Sequence, residues 1–103
     1  MWSSIKNLLG GGTPTPSFKE LLQQGALIVD VRSPQEFKGG HIKGALNIPL
    51  DKLATSLSKI PKNKPVITCC ASGMRSATAK GILKNKGYDV HNGGGWMSLN
   101  NKI

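Results

Sequence analysis

The sequence predicts one α/β domain built on a small, mainly parallel sheet flanked by helices. Three observations predict it. Short apolar, β-prone runs alternate with segments able to wind as helices, the pattern of parallel strands joined by crossover helices. One run, Ala26-Leu27-Ile28-Val29-Asp30-Val31, is apolar without alternation, as a strand covered on both faces should be. Another, Val66-Ile67-Thr68-Cys69, breaks off into small and polar residues and passes straight into a helical segment. With 103 residues, 38% of them hydrophobic, the chain suffices for one core and is too well mixed for disorder.

The elements follow in order. Trp2, Ile5, Leu8 and Leu9 share one face of a short helix, closed by Gly10-Gly11-Gly12 and followed by the extended link Thr13-Pro14-Thr15-Pro16. Residues 1–16 are thus set apart from the domain at 17–103. This helix is expected to lie on the domain edge, and a docking or membrane-surface role is the alternative. Ser17-Phe18-Lys19-Glu20 is a capping box, so a helix runs from Ser17 to about Gln24 and stops at Gly25. The strand at Ala26–Val31 comes next. Ser33-Pro34-Gln35-Glu36 is a second capping box with proline at the first helical position, and Gly39-Gly40 ends that helix after little more than a turn.

Ala45–Ile48 is a short strand ended by Pro49. Asp51–Lys59 is expected to be a helix, with Leu53, Leu57 and Ile60 on one face. Pro61 to Pro65 is a turn, and Val66–Cys69 is the third strand. The following helix spans Ser76–Lys86, is apolar at Ala79, Ile82 and Leu83, and ends at Gly87. Tyr88–Val90 is a last strand and Asn92-Gly93-Gly94-Gly95 a flexible turn. Trp96–Asn100 is a final helical turn anchored by its indole.

Composition narrows the classes. Fourteen basic against five acidic residues give a net charge of +9, which favours anionic substrates or acidic partners. The lysines are dispersed and aromatics are only 5%, so no nucleic-acid stacking platform is expected. The two cysteines are adjacent and make no disulfide framework, which suggests a reducing, cytoplasmic setting. No run approaches the roughly 20 apolar residues of a membrane span, and no export signal is visible at Met1–Leu9. A monomer is expected.

The chemistry gathers at the strand–turn–helix. Ligands of parallel sheets sit beyond the carboxyl ends of the strands. A helix N-terminus there offers unpaired N–H groups and a favourable dipole for anions. Cys70 opens the turn and Arg75 closes it, and positive potential favours the nucleophilic thiolate. Ala71, Ser72, Gly73 and Met74 let the backbone curl around the thiol as an anion nest, with Gly73 free to take a positive φ. Ser76 is placed to cap the helix or to hydrogen-bond the sulfur.

Cys70-Ala71-Ser72-Gly73-Met74-Arg75-Ser76, or C-x-x-G-x-R-S, resembles the active-site loop of single-domain rhodaneses, the thiosulfate:cyanide sulfurtransferases. Upstream, Asp30-Val31-Arg32 with Glu36-Phe37, then Gly40-His41-Ile42-Lys43-Gly44-Ala45-Leu46-Asn47-Ile48-Pro49, resembles that family's D-V-R…E-F…G-H-I-x-G-A-x-N-I-P signature. The resemblance covers about residues 15 to 100. It implies a rhodanese-like three-layer domain and a two-step sulfur transfer. Cys70 would take sulfane sulfur from thiosulfate or a persulfide donor, hold it as a covalent persulfide, and pass it to cyanide, a thiol or a protein. Arg75 would orient the anionic donor and the loop amides would hold the charge. No metal or organic cofactor is implied, and an acidic sulfur-carrier or acceptor protein is a candidate partner.

Alternatives stand beside this reading. Counted from Cys69, the loop is C-x5-R-S and resembles the phosphate loop of cysteine phosphatases and arsenate reductases. That loop has glycine three residues after its cysteine and histidine before it. Gly73 is three after Cys70 but four after Cys69, and Thr68 precedes Cys69, so Cys70 fits better. Cys69 is expected to be a buried strand residue, with a resolving thiol as the alternative. A further alternative is a non-catalytic module that binds anions or partners. Asp30 is expected near the active face, accepting loop hydrogen bonds or pairing with an arginine. Arg32 and Glu36 are expected to form an ion pair at the strand-to-helix corner. His41 reads as a turn residue, and His91 has no evident partner.

Overall fold

Both capping boxes close. Ser17 Oγ accepts from the Glu20 N–H at 3.1 Å while Glu20 Oε1 accepts from the Ser17 N–H at 2.8 Å. Ser33 and Glu36 repeat the exchange at 3.2 and 2.9 Å. Each box satisfies two of the amide donors that a helix start leaves unpaired. They open α1 (Phe18–Gln23) and α2 (Pro34–Lys38). A computed structural model describes residues 15–103, so the N-terminal helix expected at Trp2–Leu9 lies outside the described residues.

Four strands, β1 (Leu27–Asp30), β2 (Leu46–Asn47), β3 (Val66–Cys70) and β4 (Val90–Gly95), form one sheet in the order β2-β1-β3-β4. Every pairing is parallel. Register sets Asp30 beside Cys69 and Asn47 beside Asp30. The remaining helices are α3 (Met74–Asn85) and α4 (Trp96–Asn101).

The pleat divides the core into two layers. Val29, Val31, Val66 and Cys70 face one side with Leu53, Ile60, Ala79, Leu83 and Tyr88. Ile28, Ile67 and Cys69 face the other with Leu21, Ile42 and Leu99. Neighbouring cysteines therefore point into opposite layers. The Tyr88 hydroxyl donates to the Ile60 carbonyl at 2.7 Å, tying the segment that leads into β4 to the one that leads into β3. Among the described residues, no helix is long and apolar enough to cross a membrane.

Two expected elements differ. The stretch expected as an α-helix at Asp51–Lys59 is two 3-10 turns, Leu50–Thr55 and Leu57–Lys59. Ser56 breaks them at φ −120°, and Thr55 Oγ1 donates to the Lys52 carbonyl at 3.1 Å. A short side chain competing for backbone acceptors is what disfavours a continuous helix here. Leu53 and Ile60 are buried all the same. The second difference is the flexible turn expected at Asn92–Gly95. These residues are the second half of β4, paired with β3 around an irregularity between Thr68 and Cys70. A Cβ on Gly93 would lie 2.7 Å from the Thr68 carbonyl oxygen, and one on Gly95 would lie 2.9 Å from that of Ala71. The glycines allow close backbone approach rather than motion.

Candidate active site

β3 ends on Cys70, three residues turn the chain, and α3 begins at Met74, two residues before the expected start. Gly73 makes the turn possible. It caps α3 at φ +110°, a conformation closed to ordinary side chains. The turn brings the loop's N–H groups onto the Cys70 sulfur. The Gly73 N–H donates to Sγ at 2.9 Å and the Ser76 N–H at 3.4 Å, while the Ser76 hydroxyl lies 3.5 Å away. Burial pushes the thiol up, but the Ser76 hydroxyl and the N–H groups of Ser76, Gly73 and Ser72 outweigh it. Cys70 therefore ionises below the ordinary thiol value. Cys70 itself is 1% exposed beneath the loop, whereas Ala71 and Ser72 are exposed and Met74 is 80% exposed at the rim. A molecule reaching Cys70 therefore passes small residues and one apolar side chain.

Cys69 is outside this arrangement. It packs with Leu21, Ile28 and Leu99 on the far side of the sheet. Burial, together with the nearby Asp30, pushes its thiol up to about 12 against a partial opposing pull from Arg32. A buried neutral thiol is what the strand position implies, and the phosphatase-like count from Cys69 starts at a thiol that is 0% exposed.

The charged residues pair differently from the expected Arg32–Glu36 bridge. Arg32 turns to Asp30: Nη2 lies 2.7 Å from Oδ2, and Nε lies 3.0 Å from both carboxylate oxygens. Asp30 is fully buried and Arg32 is 4% exposed. The guanidinium also donates to the carbonyls of Gly40 at 2.7 Å and Glu36 at 3.3 Å, and lies over the Trp96 ring at 4.8 Å. It thus binds the end of β1, the α2 corner and the start of α4. The Glu36 carboxylate meets Arg75 instead, in a two-point pair at 2.8 and 3.0 Å. The Arg75 guanidinium, with the Ser33 N–H, holds the Glu36 carboxyl down at about 2. Oε1 of Glu36 is already turned back to the Ser33 N–H, toward the side of α2 that α3 approaches.

A groove of about 480 Å³ is lined by Arg75, Pro34, Pro49, Leu50, Asp51 and Lys52. Its walls are mainly apolar, and Arg75, Lys52 and Asp51 are the charged residues that line it. Among the described residues, no lysine forms an ion pair, so most of the excess positive charge is presented to solvent.

One site residue escaped the sequence reading. Asn92, on β4, accepts the Ser76 hydroxyl at 2.7 Å and the Gly94 N–H at 2.9 Å through the same oxygen. Thr68 Oγ1 donates to the Ser76 carbonyl at 2.9 Å and adds a second tie to that turn. The only sequence signal is an asparagine two residues from a glycine, the spacing of an Asx turn. His41 stacks on Phe37 and bonds its carbonyl through Nδ1 at 2.8 Å, and His91 pairs with Asp89 at 3.0 Å. Neither bonds to Cys70.

The Rhodanese-like domain family model matches residues 15–102. The chain belongs to the rhodanese-like domain family. Bacillus subtilis YqhL is 41% identical over 80 residues, which are 76% of this rhodanese-like chain and 64% of that protein, so the match spans less than two thirds of that relative. The thiosulfate sulfurtransferase GlpE of Pseudomonas syringae is 31% identical over 87 residues, 84% of this chain and 82% of that one. The structure of the human single-domain sulfurtransferase TSTD1 superposes with a TM-score of 0.68 at 31% identity, covering 89% of this rhodanese-like chain and 99% of that one. The four-stranded parallel sheet flanked by helices is therefore a rhodanese fold.

Proposed function

We propose that this domain is a sulfurtransferase that carries sulfane sulfur on Cys70. The observation that carries the reading is the cradle itself: a buried sulfur met by the Gly73 N–H at 2.9 Å and the Ser76 N–H at 3.4 Å, donors that favour its thiolate. The sulfurtransferase names of relatives such as GlpE point the same way.

The cycle has two displacements. The Cys70 thiolate attacks the outer sulfur of thiosulfate, a sulfur–sulfur bond forms, and sulfite leaves with the electron pair of the old bond. The acceptor then attacks that outer sulfur. Fixed N–H donors stabilise the negative charge without reorganising, which is where such a site gains most of its rate. Arg75 gives Glu36 two of its five N–H groups, and in this reading the others meet an anionic donor in the groove that Arg75 lines. Cyanide, a small thiol or an acidic protein thiol fits the basic surface as acceptor, and no metal or organic cofactor takes part.

Mass spectrometry after incubation with thiosulfate tests this. Wild type and Cys69→Ser gain one sulfur, and Cys70→Ser gains none. A gain that persists in Cys70→Ser refutes the assignment. No gain with thiosulfate or with any persulfide donor turns the domain into a binding module.

A further inference from the structure

We infer that Asn92 is a positioning residue: it directs the proton of the Ser76 hydroxyl, and through it governs how readily the Cys70 sulfur carries charge. The inference rests on Cys70 being the nucleophile proposed above. The Ser76 side chain is fully buried, and its oxygen lies within reach of three acceptors. These are Asn92 Oδ1 at 2.7 Å, the Gly73 carbonyl at 3.0 Å and, once ionised, Cys70 Sγ at 3.5 Å, which as a thiol donates to Ser76 Oγ instead. A hydroxyl has one proton to give. The Asn92 amide is held with its oxygen inward, because the Gly94 N–H donates to that same atom at 2.9 Å. Asn92 therefore acts on Ser76 only as an acceptor, over the shortest of the three contacts.

The consequence depends on the state of Cys70. A thiol, or the inner sulfur of a persulfide, carries no charge, and the Ser76 proton stays on Asn92. A thiolate needs that proton. Charge reaches Sγ when an acceptor attacks the outer sulfur: the new bond joins acceptor and outer sulfur, the sulfur–sulfur bond breaks, and its electron pair remains on Sγ. No proton leaves or enters. The hydroxyl rotates from Asn92 to Sγ, exchanging a short bond to an amide for a longer one to sulfur. Asn92 thus favours the thiol and the persulfide, and opposes the free thiolate.

The other charged groups around the cluster are balanced or turned aside. Arg75 of α3 is matched by Glu36 of α2, and Asp30 by Arg32 at the end of β1. His91 of β4 is bonded to Asp89, Cys69 lies across the sheet, and Asp51 and Lys52 line the groove with Arg75. α4 brings no charged side chain.

The test is the pH dependence of iodoacetamide alkylation of Cys70 in the full chain, with persulfide formation from thiosulfate followed separately by mass spectrometry. Removing the acceptor in Asn92→Ala frees the Ser76 proton for the thiolate and raises the ionisation constant of Cys70 about fivefold, the worth of one hydrogen bond. Asn92→Asp keeps the shape, strengthens the acceptor and lowers that constant. In a Ser76→Ala background, Asn92→Ala shifts nothing. A merely loosened loop would weaken ionisation in both Asn92 variants, and that result overturns the inference. So does an Asn92→Ala shift of equal size with and without the Ser76 hydroxyl. If wild type forms no persulfide but these alkylation shifts appear, the transfer reading fails and the role of Asn92 stands.

Discussion

Replacing Asp30 by alanine leaves a guanidinium in the core with no counter-charge. Arg32 is 4% exposed and gives Asp30 its Nε, its Nη2 and its backbone N–H, all within 3.0 Å. Breaking a buried pair from one side costs about 3–5 kcal/mol, because the surviving charge is neither solvated nor matched. Arg32 keeps its bonds to the carbonyls of Gly40 and Glu36 and its place over Trp96, so the lower end, about 3 kcal/mol, applies here. For a domain of this size that lowers Tm by about 12–24 °C, and it is a large share of the roughly 5–15 kcal/mol that holds such a domain together. Urea titration followed by circular dichroism measures it. Replacing both partners, Asp30→Leu with Arg32→Met, removes the stranded charge and recovers at least half of the loss. Cys70 alkylation well below the transition stays near wild type, since neither residue bonds to its sulfur. A single-variant loss under about 1 kcal/mol, or a double variant less stable than Asp30→Ala, refutes the reasoning that the pair is closed to water.

The β4 glycines separate packing from site geometry. Gly93→Ala drives a methyl toward the Thr68 carbonyl and Leu99, at 2.7 and 2.8 Å, and costs about 1–3 kcal/mol in urea titration. Gly95→Ala presses the Ala71 carbonyl at 2.9 Å, displaces the turn that cradles Cys70, and slows alkylation while costing less stability; equal effects from both variants on both measures would contradict this division. The Glu36 carboxyl, held down at about 2 by Arg75 and the Ser33 N–H, gives a pH signature. Its contribution is fully present above the ordinary carboxyl value and is lost as pH falls through about 2. The gap in urea midpoint between wild type and Glu36→Gln is therefore widest near neutrality and narrows below pH 4.5; a gap independent of pH would show that the carboxylate is not the source.

Much of the fold was legible because its signals are local. Ser17 with Glu20, and Ser33 with Glu36, need only three residues to close a helix start, and both did. The β3-to-α3 turn was legible because glycine at position 73 and a cysteine three residues earlier define a backbone path by themselves. The charged residues were not legible in the same way. Arg32 and Glu36 stand four apart, a spacing that invites pairing, yet Glu36 meets Arg75 from 39 residues away while Arg32 folds back on Asp30. Which partner wins depends on where the sheet sets α2 against α3, and no local rule contains that distance. Asn92 was hidden for a related reason. A run of three glycines reads as a flexible turn when only its own φ/ψ freedom is considered. Beside β3 it reads as the one composition that lets two backbones and the loop come within 3 Å of a methyl's position. The residues that local rules misplace, Glu36, Asn92 and Gly95, are those touching Arg75, Ser76 and the loop around Cys70. Local and global preferences part company where a chain serves chemistry rather than its own stability. Here the parting falls around a single sulfur.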